Sequence, residues 1–366
     1  MGTSTLNRLR SVPQLRLPIT LDADSLQSSP GYHAIWLPNY SPSYTSDLAH
    51  SALKFRWGRF PFFGLNHSKS STDMYQYLIS SGSYGDWINE SYQCFEQMVS
   101  CLNQFAADPF DLVSLTIGYG WAELKIAESL LSVQSNRLTS IALVSPNVNL
   151  LYHGLHIFKK QMRIPDDCRS KVCIVLGNHN DYVEELFPFS PRKRVFLVLG
   201  ALMNHDSGEE LFLSITSKAQ RGDLLAFDIN LPFGGLHNKE EIIRRDPRLT
   251  GQLPFGYVES VEKALEPAIR ELDTTISRID WHYGLDESEH EQGKNLEEYS
   301  VDMRARILRD HSEPQDVSIL RIHRHSPLGL EKALSSRNWT LLNRLPMGAT
   351  SEINYPSELL LFVKNT

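Results

Sequence analysis

The chain has little cysteine for its length, and its cysteines do not form a recognised motif. Its 366 residues include Cys94, Cys101, Cys168 and Cys173, and no two of these are spaced as a C-x-x-C pair. The spacing therefore offers neither a common zinc motif nor a thiol-redox motif. Cys94 and Cys101 lie seven residues apart in a stretch with helical periodicity, so we expect both to pack in a core and to bind no metal.

An excess of positive charge and long apolar runs are also missing. The chain carries 36 basic and 43 acidic residues, a formal charge of -7, which argues against a nucleic-acid surface as its main role. Its apolar runs are too short for a membrane span, and no segment resembling a secretion signal opens the sequence. We therefore expect a soluble, cytoplasmic protein that acts on a small molecule, without nucleic-acid or membrane partners. The sequence leaves the oligomeric state open.

One stretch near the middle of the chain gives the clearest structural signal. The unbroken apolar run at 194–199 is typical of a strand buried on both faces of a parallel sheet. A helix is predicted to follow, with Asp206 or Ser207 as its N-cap. The Gly-Asp pair at 222–223 ends that helix before a second apolar run at 224–229. A strand-helix-strand unit of this length forms a right-handed crossover, whose ligand site lies where the strands end.

Strand and helix patterns alternate through most of the chain. We predict strands at 112–117, 138–144, 172–176, 194–199 and 224–228, with helices at 122–131 and 148–161. Such alternation is typical of a doubly wound, Rossmann-like α/β fold with a mostly parallel sheet. A helix at 327–337 and two strands at 339–345 and 358–363 predict an antiparallel hairpin at the C-terminal end of that sheet.

The rest of the chain surrounds this core. Residues 1–50 read as irregular because prolines interrupt them, and 71–107 read as helical. The aromatic stretch at 51–65 is either a hydrophobic staple or a lid over a ligand. Residues 232–300 read as charged helical sequence, and strands are expected at 299–307 and 317–322. We accordingly divide the chain into an N-terminal extension (1–107), a cofactor-binding core (108–231), an insertion or substrate region (232–316) and a segment completing the core sheet (317–366).

Each predicted strand end carries residues that could meet a ligand. Gly118 and Gly120 flank Tyr119 after the first strand, where backbone could approach a ligand closely, although a plain tight turn has the same sequence. Ser145 ends the second strand, where a nucleoside site usually has an acidic residue. Residues 178–181 follow the third strand and are either an adenine-binding cluster or an ordinary Asn-rich turn.

Two histidine-containing groups are weaker candidates. One is the run at 323–325, and the other combines His282 with Glu287, Glu289 and His290. Neither has a recognised metal-ligand spacing, so we expect both groups to be solvated. No Gly-x-Ser-x-Gly elbow and no phosphate-binding Walker loop is present in the sequence.

The motifs together resemble the class I S-adenosylmethionine-dependent methyltransferases. Within them the chain is most similar to the histidine-specific N-methyltransferase superfamily, through the run at 194–200, the Glu209-Glu210 pair and the run at 222–228. The resemblance implies S-adenosylmethionine as cofactor. It places the cofactor against Gly118, Tyr119, Gly120, Ser145, Asn147, Asn178, His179, Asn180, Asp181, Gly200 and Ala201, and the methyl-transfer site at Asn204 and His205.

Several positions depart from the family pattern. The family's acidic residue at the end of the first strand corresponds to Thr116, its third glycine to Ala122, and its ribose-binding acid to Ser145. Its substrate-binding asparagine falls on His205, unless a one-residue gap restores Asn204.

Two further substrate-contacting residues of the family, a glutamate and a serine, correspond to Leu320 and Ile322, so histidine is not the expected substrate. We expect N-methylation of a small amine or amino-acid-like molecule in small-molecule biosynthesis, with His205 orienting or deprotonating the nucleophile. One alternative is cyclisation of the cofactor to azetidine-2-carboxylate and methylthioadenosine. Another is a non-catalytic scaffold with a degenerate cofactor site.

Overall fold

The computed structural model describes a large α/β sheet and a smaller antiparallel sheet. The described residues are 33–36, 94–102, 104, 108–115, 121–134, 137–145, 151, 172–177, 183, 192–199, 206–232, 240, 244, 266–267, 269–285, 297–347 and 357–365. Their strands are β1 (His33–Trp36), β2 (Phe110–Ser114), β3 (Leu138–Ser145), β4 (Val172–Leu176), β5 (Lys193–Val198), β6 (Leu224–Asn230), β7 (Ile276–Leu285), β8 (Glu297–Arg309), β9 (Gln315–His325), β10 (Trp339–Met347) and β11 (Ser357–Lys364). Their main helices are α1 (Trp121–Gln134), α2 (Asp206–Lys218) and α3 (Pro327–Ser335), and residues 94–102 are also helical.

The large sheet has the strand order β1-β4-β3-β2-β5-β6-β11-β10. The strands from β1 to β6 in this order pair in parallel. β11 runs opposite to the other seven strands of this sheet, because it pairs antiparallel with both β6 and β10. The predicted fold class, a mostly parallel doubly wound sheet with a C-terminal antiparallel hairpin, is confirmed.

The order of the strands defines where a ligand crevice can open. From β2 the chain builds outward through β3 and β4, and it then returns to the other side of β2 to form β5 and β6. The topological switch point therefore lies between β2 and β5. In open α/β sheets, ligands bind outside the carboxyl ends of the strands at such a point. We call the edge where β2 to β6 end the carboxyl edge.

Both faces of the large sheet are buried, which explains why its strands are continuous apolar runs. One face, here the α1 face, carries Leu112, Ile141 and Leu197 under α1 and helical residues 94–102. The other, the α2 face, carries Val113, Phe196 and Phe227 under α2 and α3. Full burial of each such side chain contributes roughly 1.5–3 kcal/mol. As predicted, Cys94 is buried in the core of the α1 face and Cys101 packs against it.

The smaller sheet has the order β7-β8-β9 and is antiparallel throughout. Tyr299, Val301, Met303, Ala305 and Ile307 alternate along β8 and give the sheet one apolar face. The sheet touches the large one at the end of β9, where Arg324 donates from a terminal guanidinium nitrogen to the carbonyl oxygen of Leu231, at 3.4 Å. Leu231 follows directly after β6, so β9 ends beside the carboxyl edge.

Three expectations are corrected by these strands. Residues 33–36, predicted to be irregular, form β1 at the edge of the large sheet, and 276–285, predicted to be helical, form β7. β7 is an edge strand with one exposed face, so it carries the charged residues that resembled a solvated helix. The strand predicted at 317–322 belongs to the three-stranded sheet and not to the core sheet. The division into domains is otherwise still a prediction.

Candidate active site

Buried polar side chains lie along the carboxyl edge on the α1 face. Alternation along β2 puts Ser114 on the same face as Leu112, and alternation along β3 puts Ser145 on the same face as Leu143. On β6, Asp228 and Asn230 follow Ala226 in the same way. All four polar residues are buried. The apolar stripes of the α1 face thus turn polar where the strands end, as expected for a ligand site in this fold.

Glu123 joins this group from the first turn of α1. Its carboxyl oxygen accepts a hydrogen bond from the Ser114 hydroxyl at 3.0 Å. Burial raises the pKa of Glu123 to about 7, although hydrogen bonds from its own backbone N–H and from Ser114 act in the opposite direction, and the nearby charge of Asp228 raises it further. Glu123 is therefore a buried carboxyl that can gain or lose a proton near neutral pH.

Asp228 links three elements electrostatically. It raises the pKa of Glu123 on α1, and it adds to the effect of burial in raising the pKa of the Cys94 thiol to about 12. Cys94 also donates to the carbonyl oxygen of Leu345 on β10 over 3.8 Å. At neutral pH the Cys94 thiol is thus protonated and unreactive, and the ionisable groups of this edge are carboxyls.

The proton on Glu123 has a consequence for stability that can be measured. Because its pKa is raised from 4.5 to about 7 on folding, the unfolded chain loses this proton at lower pH than the folded protein does. The contribution of Glu123 to stability is thus fully present below pH 4.5 and is lost as the pH rises to about 7. We expect the free energy of unfolding of Glu123→Gln to rise by about 2.5 kcal/mol relative to that of wild type between pH 5 and pH 8.

Urea unfolding at both pH values measures this difference. Glu128→Gln is the matched control, because Glu128 lies on the same helix, is partly exposed and pairs with Lys125. We expect its effect on stability to be nearly the same at both pH values. Equal pH profiles for wild type and Glu123→Gln would contradict the assigned protonation.

Of the residues predicted to bind cofactor or acceptor, the structure describes Ser145. It lies at the end of β3, is buried, and its carbonyl oxygen accepts from the backbone N–H of Gly177 after β4. The other predicted residues lie outside the described part of the chain: Gly118, Tyr119, Gly120, Asn147, Asn178, His179, Asn180, Asp181, Gly200, Ala201, Asn204 and His205. They stay predictions. The aromatic stretch at 51–65 also lies outside it.

Glu123 was missed by the sequence analysis. A glutamate in the first turn of a helix is common, because it favours the positive end of the helix dipole. One feature of the sequence could have identified Glu123 as a site residue: it directly follows a glycine-containing loop that has Thr116 where an acidic residue is expected.

The histidines near the end of β9 were predicted to be solvated, and this prediction is wrong. His323, Arg324 and His325 are buried, and Nδ1 of His323 lies 3.3 Å from the hydroxyl oxygen of Ser300. His282 on β7 is exposed, as predicted. The described part of the chain has no group of three potential metal ligands, and none of its helices is long and apolar enough to cross a membrane.

No family model and no curated protein sequence matches this chain. Solved structures of methyltransferases do match it. Magnesium protoporphyrin IX methyltransferase from Synechocystis PCC 6803 is 9% identical with a TM-score of 0.43, over 81% of this chain and 95% of that chain. An S-adenosylmethionine-dependent methyltransferase from Clostridium acetobutylicum ATCC 824 is 12% identical with a TM-score of 0.41, over 75% and 92%. The N-methyltransferase NodS from Bradyrhizobium japonicum WM9 is 6% identical with a TM-score of 0.40, over 81% and 100%.

Proposed function

We propose that this protein is an S-adenosylmethionine-dependent methyltransferase that N-methylates a small amine or amino-acid-like molecule other than histidine. The observation that carries the proposal is the buried Glu123–Ser114 pair, with Asp228 nearby, at the carboxyl edge of a doubly wound sheet. The runs at 194–199 and 224–228, which carry the resemblance to methyltransferases, lie mostly on β5 and β6, and both strands end at this edge.

The chemistry of these side chains fits the proposed cofactor. S-Adenosylmethionine carries a positive sulfonium and a positive ammonium, and two buried carboxyls attract such charges while they would repel the pyrophosphate of a dinucleotide. Glu123 would hold the cationic amino-acid part, in place of the acid missing at Thr116. Ser145, at the end of β3, would hydrogen-bond the ribose, which the fold places near that strand.

The bound cofactor supplies an activated methyl group, so the protein has to position the acceptor and exclude water. The α1 face excludes water, because Ser114, Ser145, Glu123 and Asp228 are all buried there. In our proposal the loop after β5 positions the acceptor, because Asn204 and His205 orient its amine. This loop follows the strand that borders the switch point.

Calorimetric titration with S-adenosylhomocysteine tests the proposal without needing the acceptor. We expect wild type to bind this ligand and to release about half a proton per ligand at pH 7, because its ammonium group favours the ionised form of Glu123, whose pKa is about 7. The dependence of the measured enthalpy on the ionisation enthalpy of the buffer gives the number of protons. Glu123→Gln should bind more weakly and release none.

Two controls separate the parts of this prediction. Methylthioadenosine lacks the amino-acid part, so its binding should release no proton. Glu128→Gln should behave like wild type, because its side chain is partly exposed and pairs with Lys125. Absence of binding by wild type would refute the proposed function, whereas binding without proton release would refute only the role of Glu123.

A further inference from the structure

The three-stranded sheet meets the large sheet through its apolar face. Arg324 pairs across the strands with Tyr299, so both side chains belong to the face that carries the alternating apolar residues of β8. From this face Arg324 donates to the carbonyl oxygen of Leu231, which follows β6 directly. β9 also contacts β6 itself. The apolar face of the small sheet therefore reaches the carboxyl edge where β6 ends.

Strand pairing shows which side chains make up this face. Leu285, Tyr283 and Trp281 of β7 each lie opposite an apolar residue of β8. The two strands together form what we call the apolar strip: Trp281, Tyr283, Leu285, Tyr299, Val301, Met303 and Ala305. No side chain of the strip is charged at neutral pH. Six residue steps of a strand separate its two ends on β8, which corresponds to about 20 Å.

The strip is buried along β8 and partly exposed along β7. Tyr299 and Val301 are only 2% and 1% exposed. Tyr283 and Leu285 pack against them and keep part of their surface accessible, in an apolar cluster separate from the two cores of the large sheet. Single exposed apolar residues are common, but neighbouring ones on one face of a strand are typical of a binding surface.

The position of the strip favours the acceptor molecule as its occupant. The Tyr299 end of the strip lies beside Arg324, and so beside the carboxyl edge, where the proposed function places methyl transfer. A molecule that presents its amine at that edge has room for its other atoms along the small sheet. A polar body would lose its hydration against the strip and gain no hydrogen bonds from it, whereas an apolar body would be stabilised there.

Resting on the proposed function, we propose that the acceptor is an amine with an elongated apolar body, and that this body lies along the apolar strip. The amine meets the carboxyl edge, and the body packs on the partly exposed side formed by Tyr283 and Leu285. Each methylene group that leaves water there raises the affinity about fourfold. Tyr283 and Leu285 are thus specificity residues, which select the acceptor by its body and take no part in the transfer of the methyl group.

Calorimetry with two amines of similar length and equal charge tests this placement. The probes are octylamine, whose body is apolar, and amino-triethylene glycol, whose body is polar, each titrated into protein saturated with S-adenosylhomocysteine. We expect octylamine to bind at least about tenfold more tightly than the polar amine.

A substitution on β7 tests the contact itself. Leu285→Asn should weaken octylamine binding about tenfold, because it sets an amide against the hydrocarbon chain, and should leave the affinity for S-adenosylhomocysteine unchanged. His282→Asn is the matched control. His282 lies on the same strand, but it is exposed on the opposite face, so its replacement should change neither affinity.

The outcomes separate this inference from the proposed function. If wild type binds S-adenosylhomocysteine but binds octylamine no more tightly than the polar amine, the inference is overturned and the proposed function stands. Equal octylamine affinity in wild type and Leu285→Asn overturns it as well. If wild type does not bind S-adenosylhomocysteine, both are overturned. Should thermal unfolding show that Leu285→Asn does not fold, Leu285→Ala removes the same contact without adding a polar group.

Discussion

Replacing Asp223 with alanine is expected to lower the free energy of unfolding by about 3–5 kcal/mol. Asp223 and Arg194 form an ion pair with a separation of 2.7 Å, and their side chains are only 1% and 3% exposed. Removal of one partner leaves the other charge buried without compensation. That cost exceeds what a buried pair contributes to stability when it is intact.

Asp223 also organises the turn between α2 and β6. Its carboxylate accepts from the backbone N–H of Arg194 at 2.9 Å and from that of Gln220 at 2.7 Å, so it joins the start of β5 to the end of α2. Gly222 precedes it with φ of +85°, and a Cβ there would lie 2.9 Å from Cε of Lys193. The sequence predicted that the Gly-Asp pair ends α2. In the structure this pair also ties the end of α2 to the start of β5.

Urea unfolding followed by circular dichroism measures the loss. The matched control is Asp108→Ala, because Asp108 accepts from Lys193, the neighbour of Arg194, at 2.6 Å in an exposed ion pair. Water replaces an exposed partner readily, so the control should unfold close to the wild-type urea concentration. Equal midpoints for the two variants would show that the Arg194–Asp223 pair does not hold the crossover together.

Replacing Gly118 with valine is expected to abolish detectable cofactor binding while the protein stays folded. β2 ends at Ser114 and α1 begins at Trp121, so Gly118 belongs to the connection at the switch point. A ligand at this place has to meet the backbone closely, and a branched side chain would occupy that space. A loss of about 100-fold in affinity corresponds to ~2.7 kcal/mol.

Calorimetry with S-adenosylhomocysteine measures this effect, and thermal unfolding checks the fold. Gly118→Ala serves as the graded control and should retain measurable, weaker binding. Wild-type affinity in Gly118→Val would mean that the connection is only a turn. The cofactor would then have to bind at another strand end.

The sequence by itself determined the core of the large sheet. The runs at 172–176, 194–199 and 224–228 were predicted as strands and form β4, β5 and β6, with bounds that differ by up to two residues. A strand buried on both faces has to be apolar at every position, so its signal is local and needs no knowledge of neighbours. The C-terminal hairpin of β10 and β11 was predictable for a related reason, since two strand-like runs follow α3 in close succession in the sequence.

Only the tertiary structure decided which polar residues share a site. Glu123 and Asp228 are far apart in the sequence, and they influence each other because α1 and β6 meet at one edge of the sheet. The pKa of Glu123 follows from burial in that place, which periodicity cannot reveal. His323 and His325 read as solvated for the same reason: an alternating strand has one apolar face, and packing elsewhere in the chain decides whether its polar face meets water or is buried.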